Sequence, residues 1–460
     1  MKLWFFKSSA IDSPNRRIFR AALVVGLLTL LVKCGATVKE LVVARWFGRS
    51  DALDAFLIAF LLPSFILGLV MGALEFSLIP TFIRTRQNEG VEATQKLFAG
   101  VMLLSLLLLA ITTLLLGLLA PYYLPYLGSG FSAEKLRLTR ELFYVLLPFV
   151  LFNGIVTCCS AVLNAGERFA LPAFTPIVTP LLTIVLIELG AAQWGTFCLA
   201  GGLVAGSILE AAVLVASLPR QGLHFSLRWT GMTPALRGVL GQYAPMLAGA
   251  FLVGGTAVVD QSMAAMLPPG SVAALSYAGK VIGVILAIGS AALGVPALSY
   301  FSKMAAANDW QACRHTINRY SLLIVMTTLP FTVAFIAFSR PLVRMLFQRG
   351  AFTAADTELV SWVQICFAIQ IPFYIWARLF IRFVSSLRQN HILMYASAIT
   401  LVLDIVFNLI FMRWWGVAGI ALSTSVVSIV VLAVMAVWSF RLLQQRASIG
   451  SMASAQSMIR

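Results

Sequence analysis

Three lysines, Lys33, Lys39 and Lys280, stand inside stretches of the chain that are otherwise apolar. An ammonium group is a compact point charge with three rotatable donors, which suits it to holding a phosphate. Carboxylates stand in similar surroundings: Glu40, Asp54, Asp260 and Asp404, together with Glu75, Glu188 and Glu210. Ionisable side chains at membrane depth are expensive, so each marks a pathway or a pair. On an α-helix Lys33 and Glu40, seven residues apart, project within about 20° of each other, and Lys39 lies roughly 120° from Lys33. All three fit one wide face. The lysines can pair with carboxylates merely to tolerate burial, or they can receive an anionic substrate; the latter is the stronger reading. For Glu75, Glu188 and Glu210, polarity at a helix end or in packing is the stronger one. Asp54, Asp260, Asp404 and Glu40 are candidates for counter-ions or ion coupling. Arg45 and Arg49 are either interfacial anchors or the lining of an outer gate.

No catalytic or metal constellation accompanies these charges. His224, His315 and His391 fall in loops without triad or metal spacing, and no Walker A motif occurs. The six cysteines lie in or beside apolar runs, with no ligand spacing and no disulfide framework, and read as small hydrophobes. No cofactor is expected beyond coupling to an ion gradient or to the membrane potential.

The elements that must position these residues are membrane spans. Hydrophobic residues make up 60% of the 460, charged residues only 11%, and mean hydropathy is +0.94. Soluble domains carry about 25% charged residues, so water alone cannot be the solvent of this surface. Apolar runs such as 97–119 and 417–438 reach the roughly 20 residues that cross a bilayer as a helix. The fold class expected is all-α integral membrane, with about 12 transmembrane helices: 19–45, 52–81, 95–120, 138–164, 170–190, 194–217, 236–262, 271–298, 315–339, 355–384, 391–412 and 416–441. The basic N-terminus lacks a cleavage site after its apolar run, so the first span is read as retained.

Basic residues orient the bundle. Twenty-one of the 33 Lys and Arg fall in the N-terminus, the loops near 84–96, 168, 220–237, 303–319 and 378–388, and the tail. Nine fall in the alternate loops, and three are the buried lysines. The positive-inside rule then puts both termini in the cytoplasm. The formal charge of +16 is a topology signal spread between spans, and nucleic-acid binding is not expected.

The halves repeat. Pro121 opens a stretch through Gly130-Phe131-Ser132-Ala133-Glu134, and Pro341 one through Gly350-Ala351-Phe352-Thr353-Ala354-Ala355-Asp356. Trp194-Gly195 recurs as Trp415-Gly416, and Ser207-Ile208 as Ser428-Ile429. The organisation expected is a cytoplasmic segment 1–18, an N-lobe 19–218, a cytoplasmic linker 219–235, a C-lobe 236–441 and a cytoplasmic tail 442–460. Two six-helix lobes repeated in one orientation are a transporter pattern, with substrate bound at the repeat interface. A lipid pyrophosphate suits three buried lysines, because its head group must cross while its tail stays in lipid.

Specific motifs then carry a resemblance. Val42-Val43-Ala44-Arg45-Trp46-Phe47-Gly48, Leu53-Asp54-Ala55-Phe56 and Leu62-Pro63 resemble the opening of the MurJ/MviN lipid II flippases, of the multidrug/oligosaccharidyl-lipid/polysaccharide exporter superfamily. Further matches are Leu163-Asn164, Arg168-Phe169, Pro172-Ala173-Phe174-Thr175-Pro176, Ser276-Tyr277-Ala278 and Leu346-Phe347-Gln348-Arg349-Gly350-Ala351-Phe352-Thr353. The resemblance runs to about residue 440. It implies a MurJ/MATE-like bundle whose lobes open alternately, with a cationic cavity for an undecaprenyl-pyrophosphate-linked saccharide. It also implies substrate-binding roles for Lys33, Lys39 and Lys280, which stand where that family carries arginines, and for Asp54.

The chain departs from the family pattern at several places. The three arginines are lysines, Gly283 stands where an acidic partner is expected, and Leu67-Gly68 replace a basic pair. The two further C-terminal spans common in the family do not follow the twelfth. The expected cargo is therefore lipid II or an exopolysaccharide or O-antigen repeat unit, carried across a bacterial inner membrane beside envelope or polysaccharide synthesis machinery. The alternatives are a cation-coupled multidrug exporter of the same superfamily and a non-transporting scaffold of envelope synthesis.

Overall fold

A computed structural model describes residues 14–229, 231–387 and 389–458. The first part of the expected segment 1–18, the end of the tail, and Arg388 and Arg460 of the basic count lie outside the described residues, as does the side chain of Glu75.

All regular structure among the described residues is helical. In chain order the α-helices are α1 (Pro14–Phe47), α2 (Asp51–Asn88), α3 (Gly90–Leu127), α4 (Ala133–Ala165), α5 (Ala170–Phe174), α6 (Val178–Trp194), α7 (Phe197–Ser217), α8 (Pro234–Ala264), α9 (Ser271–Ala306), α10 (Trp310–Ala337), α11 (Ser339–Phe347), α12 (Ala354–Ala368), α13 (Gln370–Ser386), α14 (Asn390–Trp415) and α15 (Val417–Met458). Helices dominate because, without water to satisfy them, backbone N–H and C=O groups must bond within the segment. Ten stretches among the described residues are long and apolar enough to span a bilayer. The helices α1 and α8, of 34 and 31 residues, cover the two remaining expected spans, 19–45 and 236–262, and are not among those ten.

Two spans are broken where proline removes a ladder donor. The stretch 355–384 is two helices, α12 and α13, with Pro372 in the first turn of the second. The stretch 170–190 opens with the five-residue α5 and a 3-10 turn at Thr175–Ile177 carrying Pro176. The tail is not a separate element, since α15 runs on through it to Met458.

The chain forms two compact units: Met1–Val43 with Pro63–Ala120 and Arg140–Leu247, and Ala44–Leu62 with Pro121–Thr139 and Ala248–Arg460. The first unit has a core of Met71, Phe82, Phe98, Met102, Val150 and Leu214. Its α6–α7 hairpin is tight because α7 presents Gly202 and Gly206, four apart: a Cβ at Gly206 would meet the Thr179 Cα at 2.6 Å. Three side chains, two from the segment 84–96 and one from the loop at 168, grip the linker in this unit. Arg86 Nη2 donates to Gln221 O (3.0 Å), Arg168 Nη2 to Arg220 O (2.8 Å) and Gln95 Nε2 to His224 O (2.8 Å). Loops that the charge count puts on one face thus touch one another.

The second unit buries Tyr277 against Phe347 and Phe352, with ring centroids 5.1 and 5.4 Å away. Phe301 of α9 meets Phe383 of α13 edge-on at 5.4 Å. Five cysteines are buried as expected of small hydrophobes, whereas Cys34 is exposed.

Candidate functional site

The three lysines occupy different settings. Lys33 is exposed on α1 beside the exposed Cys34, and its carbonyl accepts from Thr37 Oγ1 (2.8 Å). Lys39 does not share Glu40 with Lys33: Lys39 Nζ itself lies 2.7 Å from Glu40 Oε1, between adjacent residues of one helix. Lys280 is exposed on α9 with its Nζ 5.8 Å from the Tyr277 ring centroid.

Asp54 is only 1% exposed, and both of its carboxylate oxygens accept hydrogen bonds. Oδ2 accepts from Gly270 N (2.7 Å) and Lys135 Nζ (3.0 Å), and Oδ1 from Ala273 N (2.8 Å). It therefore caps α9 from another helix, at the terminus where unpaired N–H groups and the dipole favour an anion. Lys135 also reaches Asp51 Oδ1 (2.5 Å) and lies 4.0 Å over the Phe131 ring. The arrangement gives Asp54 a joining role, with three of the roughly four acceptor sites of its carboxylate taken.

Arg49 and Arg45 join the second unit in different ways. Arg49 Nε pairs with Asp356 Oδ1 at 2.9 Å, and Asp356 closes a capping box with Thr353 at the start of α12. Arg45 contributes its backbone: Ala351 N donates to Arg45 O (2.8 Å), and a Cβ on Gly350 would fall 2.3 Å from that oxygen. A Cβ on Gly130 would fall 2.4 Å from Ala265 O. Tyr277 Oη donates to Gly48 O (3.0 Å). The loop at 48–50, the loop at 348–353, the loop at 128–132 and the start of α9 thus form one backbone-to-backbone junction.

Asp260 and Asp404 come together in the second unit. Asn408 Nδ2 donates to Asp260 Oδ1 (2.7 Å), and Asp404 and Thr424 lie beside the Asp260 carboxyl. Asp404 is 2% exposed. Its Oδ2 and Asn408 Oδ1 are buried without a hydrogen-bond partner. Two buried carboxylates side by side repel each other, so a proton or a cation between them relieves the pair. Oxygen-only donors with orphaned atoms fit a hard cation or a proton.

Sequence reasoning missed Lys135, Asp356, Asn408 and Thr424. Lys135 is one of the nine basic residues of the alternate loops and Asp356 the end of a repeated motif, and nothing in the sequence pairs either with a partner. Asp404 and Asn408, four apart on one helical face, were the available signal for the acidic cluster.

Comparison with known proteins agrees with this architecture. The family model "MurJ: Lipid II flippase MurJ" matches residues 43–459. A probable lipid II flippase MurJ of Synechocystis sp. is 24% identical over 437 residues, covering 90% of this chain and 80% of that protein. Its counterpart in Thermotoga maritima is 25% identical over 409 residues, covering 88% and 82%. Among solved structures, lipid II flippase MurJ in an inward closed conformation aligns with a TM-score of 0.76 at 22% identity, covering 90% of this chain and 86% of that one. An inward-facing multidrug resistance MATE family transporter aligns with a TM-score of 0.72 at 16% identity, covering 90% and 95%. These two share the fold. With a family match spanning most of its length, the chain belongs to the lipid II flippase MurJ family, a family of multi-pass membrane transporters rather than of enzymes.

Proposed function

We infer that the chain carries an undecaprenyl-pyrophosphate-linked saccharide from the cytoplasmic to the periplasmic face of a bacterial inner membrane by alternating access. Lipid II is the cargo its relatives' names give; an exopolysaccharide or O-antigen repeat unit presents the same anionic head. The observation that carries the reading is the exposure of Lys33 and Lys280 within long apolar helices. An exposed lysine at membrane depth is tolerated where it faces water or an anion. These are the cations a pyrophosphate meets on its way, with Lys39 held beside Glu40.

Asp54, Arg49 and the carbonyl of Arg45 act as an outer latch in this reading, since all three bind backbone or side chains of the loops with fewer basic residues. The Asp260–Asp404 cluster is the coupling site, taking up a proton or a monovalent cation. Both termini face the cytoplasm, a view supported by the mutual contacts of the linker with the loops near 86–95 and 168.

The test is complementation of a MurJ-depleted strain beside an exopolysaccharide-export assay. Rescue of peptidoglycan synthesis assigns lipid II; rescue of export alone assigns a repeat unit; rescue of neither by a well-expressed protein refutes the reading.

A further inference from the structure

We propose that a groove among α9, α10 and α13 holds one acyl chain of an anionic phospholipid, whose head group is bound by Lys303, Arg319 and Arg382. The proposal concerns a site separate from the transported cargo and stands whether or not that cargo is lipid II. It shares with the function above only the assignment of the α9–α10 turn to the cytoplasmic side.

The groove, of about 260 Å³, is walled by Leu293, Ala297, Tyr300 and Met304 of α9, Tyr320 of α10 and Leu379 of α13. Behind it, Trp376 Nε1 donates to Ser321 Oγ (2.7 Å), tying α13 to α10 and fixing the wall. The helices α10 and α13 belong to stretches long and apolar enough to span a bilayer, and the α9 wall continues directly from the apolar stretch Ser271–Ala291, which puts the groove at the membrane's edge in this proposal. Its walls are almost wholly apolar, and its polar lining is Tyr300, Tyr320 and Thr316. Tyr300 is 63% exposed and Tyr320 42%, and neither hydroxyl finds a hydrogen-bond partner among the described residues. Exposed tyrosines of this kind sit at head-group level.

Charge selects the occupant. Each helix places one cation three residues beyond a groove residue, and so within about 60° of it around the axis: Lys303 after Tyr300, Arg319 after Thr316, Arg382 after Leu379. Arg314 adds a fourth near the start of α10. Against them stands a single carboxylate between residues 271 and 355, Asp309, and its Oδ1 is engaged in capping α10 through Ala312 N (2.8 Å). The stretch 370–388 has no acidic residue. Arg319 is the most telling, because it lies nine residues, roughly 13 Å, into α10 and is exposed without an ion-pair partner among the described residues. A guanidinium there reaches outward along its stem to an anion at the interface. Basic clusters between transmembrane helices on the cytoplasmic side are suited to anionic head groups. A zwitterionic lipid fills the groove but leaves the three cations unmatched.

The experiment is native mass spectrometry of the full chain, released from nanodiscs of equal phosphatidylglycerol and phosphatidylcholine. The wild type should retain one phosphatidylglycerol with a preference of about tenfold or more, as three interfacial cations allow. Lys303→Gln/Arg319→Gln/Arg382→Gln, all at exposed or partly exposed positions, should remove the preference while still holding either lipid. Ala297→Trp, which fills the groove, should abolish retention of both. Equal retention of the two lipids by the wild type overturns the proposal. So does undiminished phosphatidylglycerol preference in the triple variant. Displacement of the lipid by undecaprenyl phosphate, but not by added phosphatidylglycerol, assigns the groove to the cargo's tail and overturns it as well.

Discussion

Gly130 and Gly350, 220 residues apart, are each pressed against a backbone carbonyl, and the owners of those carbonyls, Ala265 and Arg45, are also 220 residues apart. The sequence repeat is therefore a repeat of contacts. The loop before the fourth span of each half meets the end of the other half's first long helix, with virtual Cβ positions 2.4 and 2.3 Å from oxygen. Gly350 also has a φ of +56°, which only glycine adopts without strain.

Glycine at these two positions is accordingly a steric requirement. Gly350→Ala and Gly130→Ala should each destabilise the junction, by about 1–3 kcal/mol at Gly350, where backbone strain adds to the clash. Gly68→Ala, where a Cβ meets nothing within 4 Å, should be near neutral. Thermal unfolding of the three purified variants checks this; equal melting temperatures for all three would show that the loops do not lock.

Asp54 and Lys135 form a buried pair, with Lys135 9% and Asp54 1% exposed. Removing one partner strands the other, so Asp54→Asn and Lys135→Met should each cost about 3–5 kcal/mol. The double variant should cost much less than their sum. Asp54→Asn also weakens the cap on α9. A double-mutant cycle measures the coupling, and additive effects would dissolve the pair.

The neighbouring Arg49–Asp356 pair is partly exposed, at 22% and 11%, and screening keeps Arg49→Ala to about 0.5–1 kcal/mol. Asp356→Ala should cost about 1 kcal/mol more, because it also opens the capping box with Thr353. Chemical denaturation separates the two. A larger loss in Arg49→Ala than in Asp356→Ala would contradict the assignment of the cap.

The spans and the costly charges were legible in the sequence for one reason. A bilayer demands roughly 20 apolar residues per helix, and an ionisable residue inside such a run stands out. The partners of those charges were not legible. Asp54 meets Lys135, Gly270 and Ala273, residues 81, 216 and 219 positions away, and no local periodicity reports such contacts. Helical geometry put Lys33 and Glu40 within about 20° of each other, but it did not show that the adjacent Lys39 reaches Glu40. The break between α12 and α13 was hidden because both halves are apolar; only Pro372 marked it.

Asp404 and Asp260 should make the protein's stability depend on the coupling ion. Titrating sodium or lowering pH should raise the melting temperature of the wild type, since a bound cation or proton favours the folded state. Asp404→Asn and Asp260→Asn should each remove that dependence. A wild type indifferent to both sodium and pH would exclude the cluster as a coupling site.

The central claim is that lysines at membrane depth meet an anionic lipid-linked head group. Lys33→Ala, Lys39→Ala and Lys280→Ala should each express and insert as the wild type does. In the MurJ-depletion and exopolysaccharide-export assays, each should lose most of the function that the wild type restores. Full function of all three variants in the assay that the wild type rescues would contradict the account.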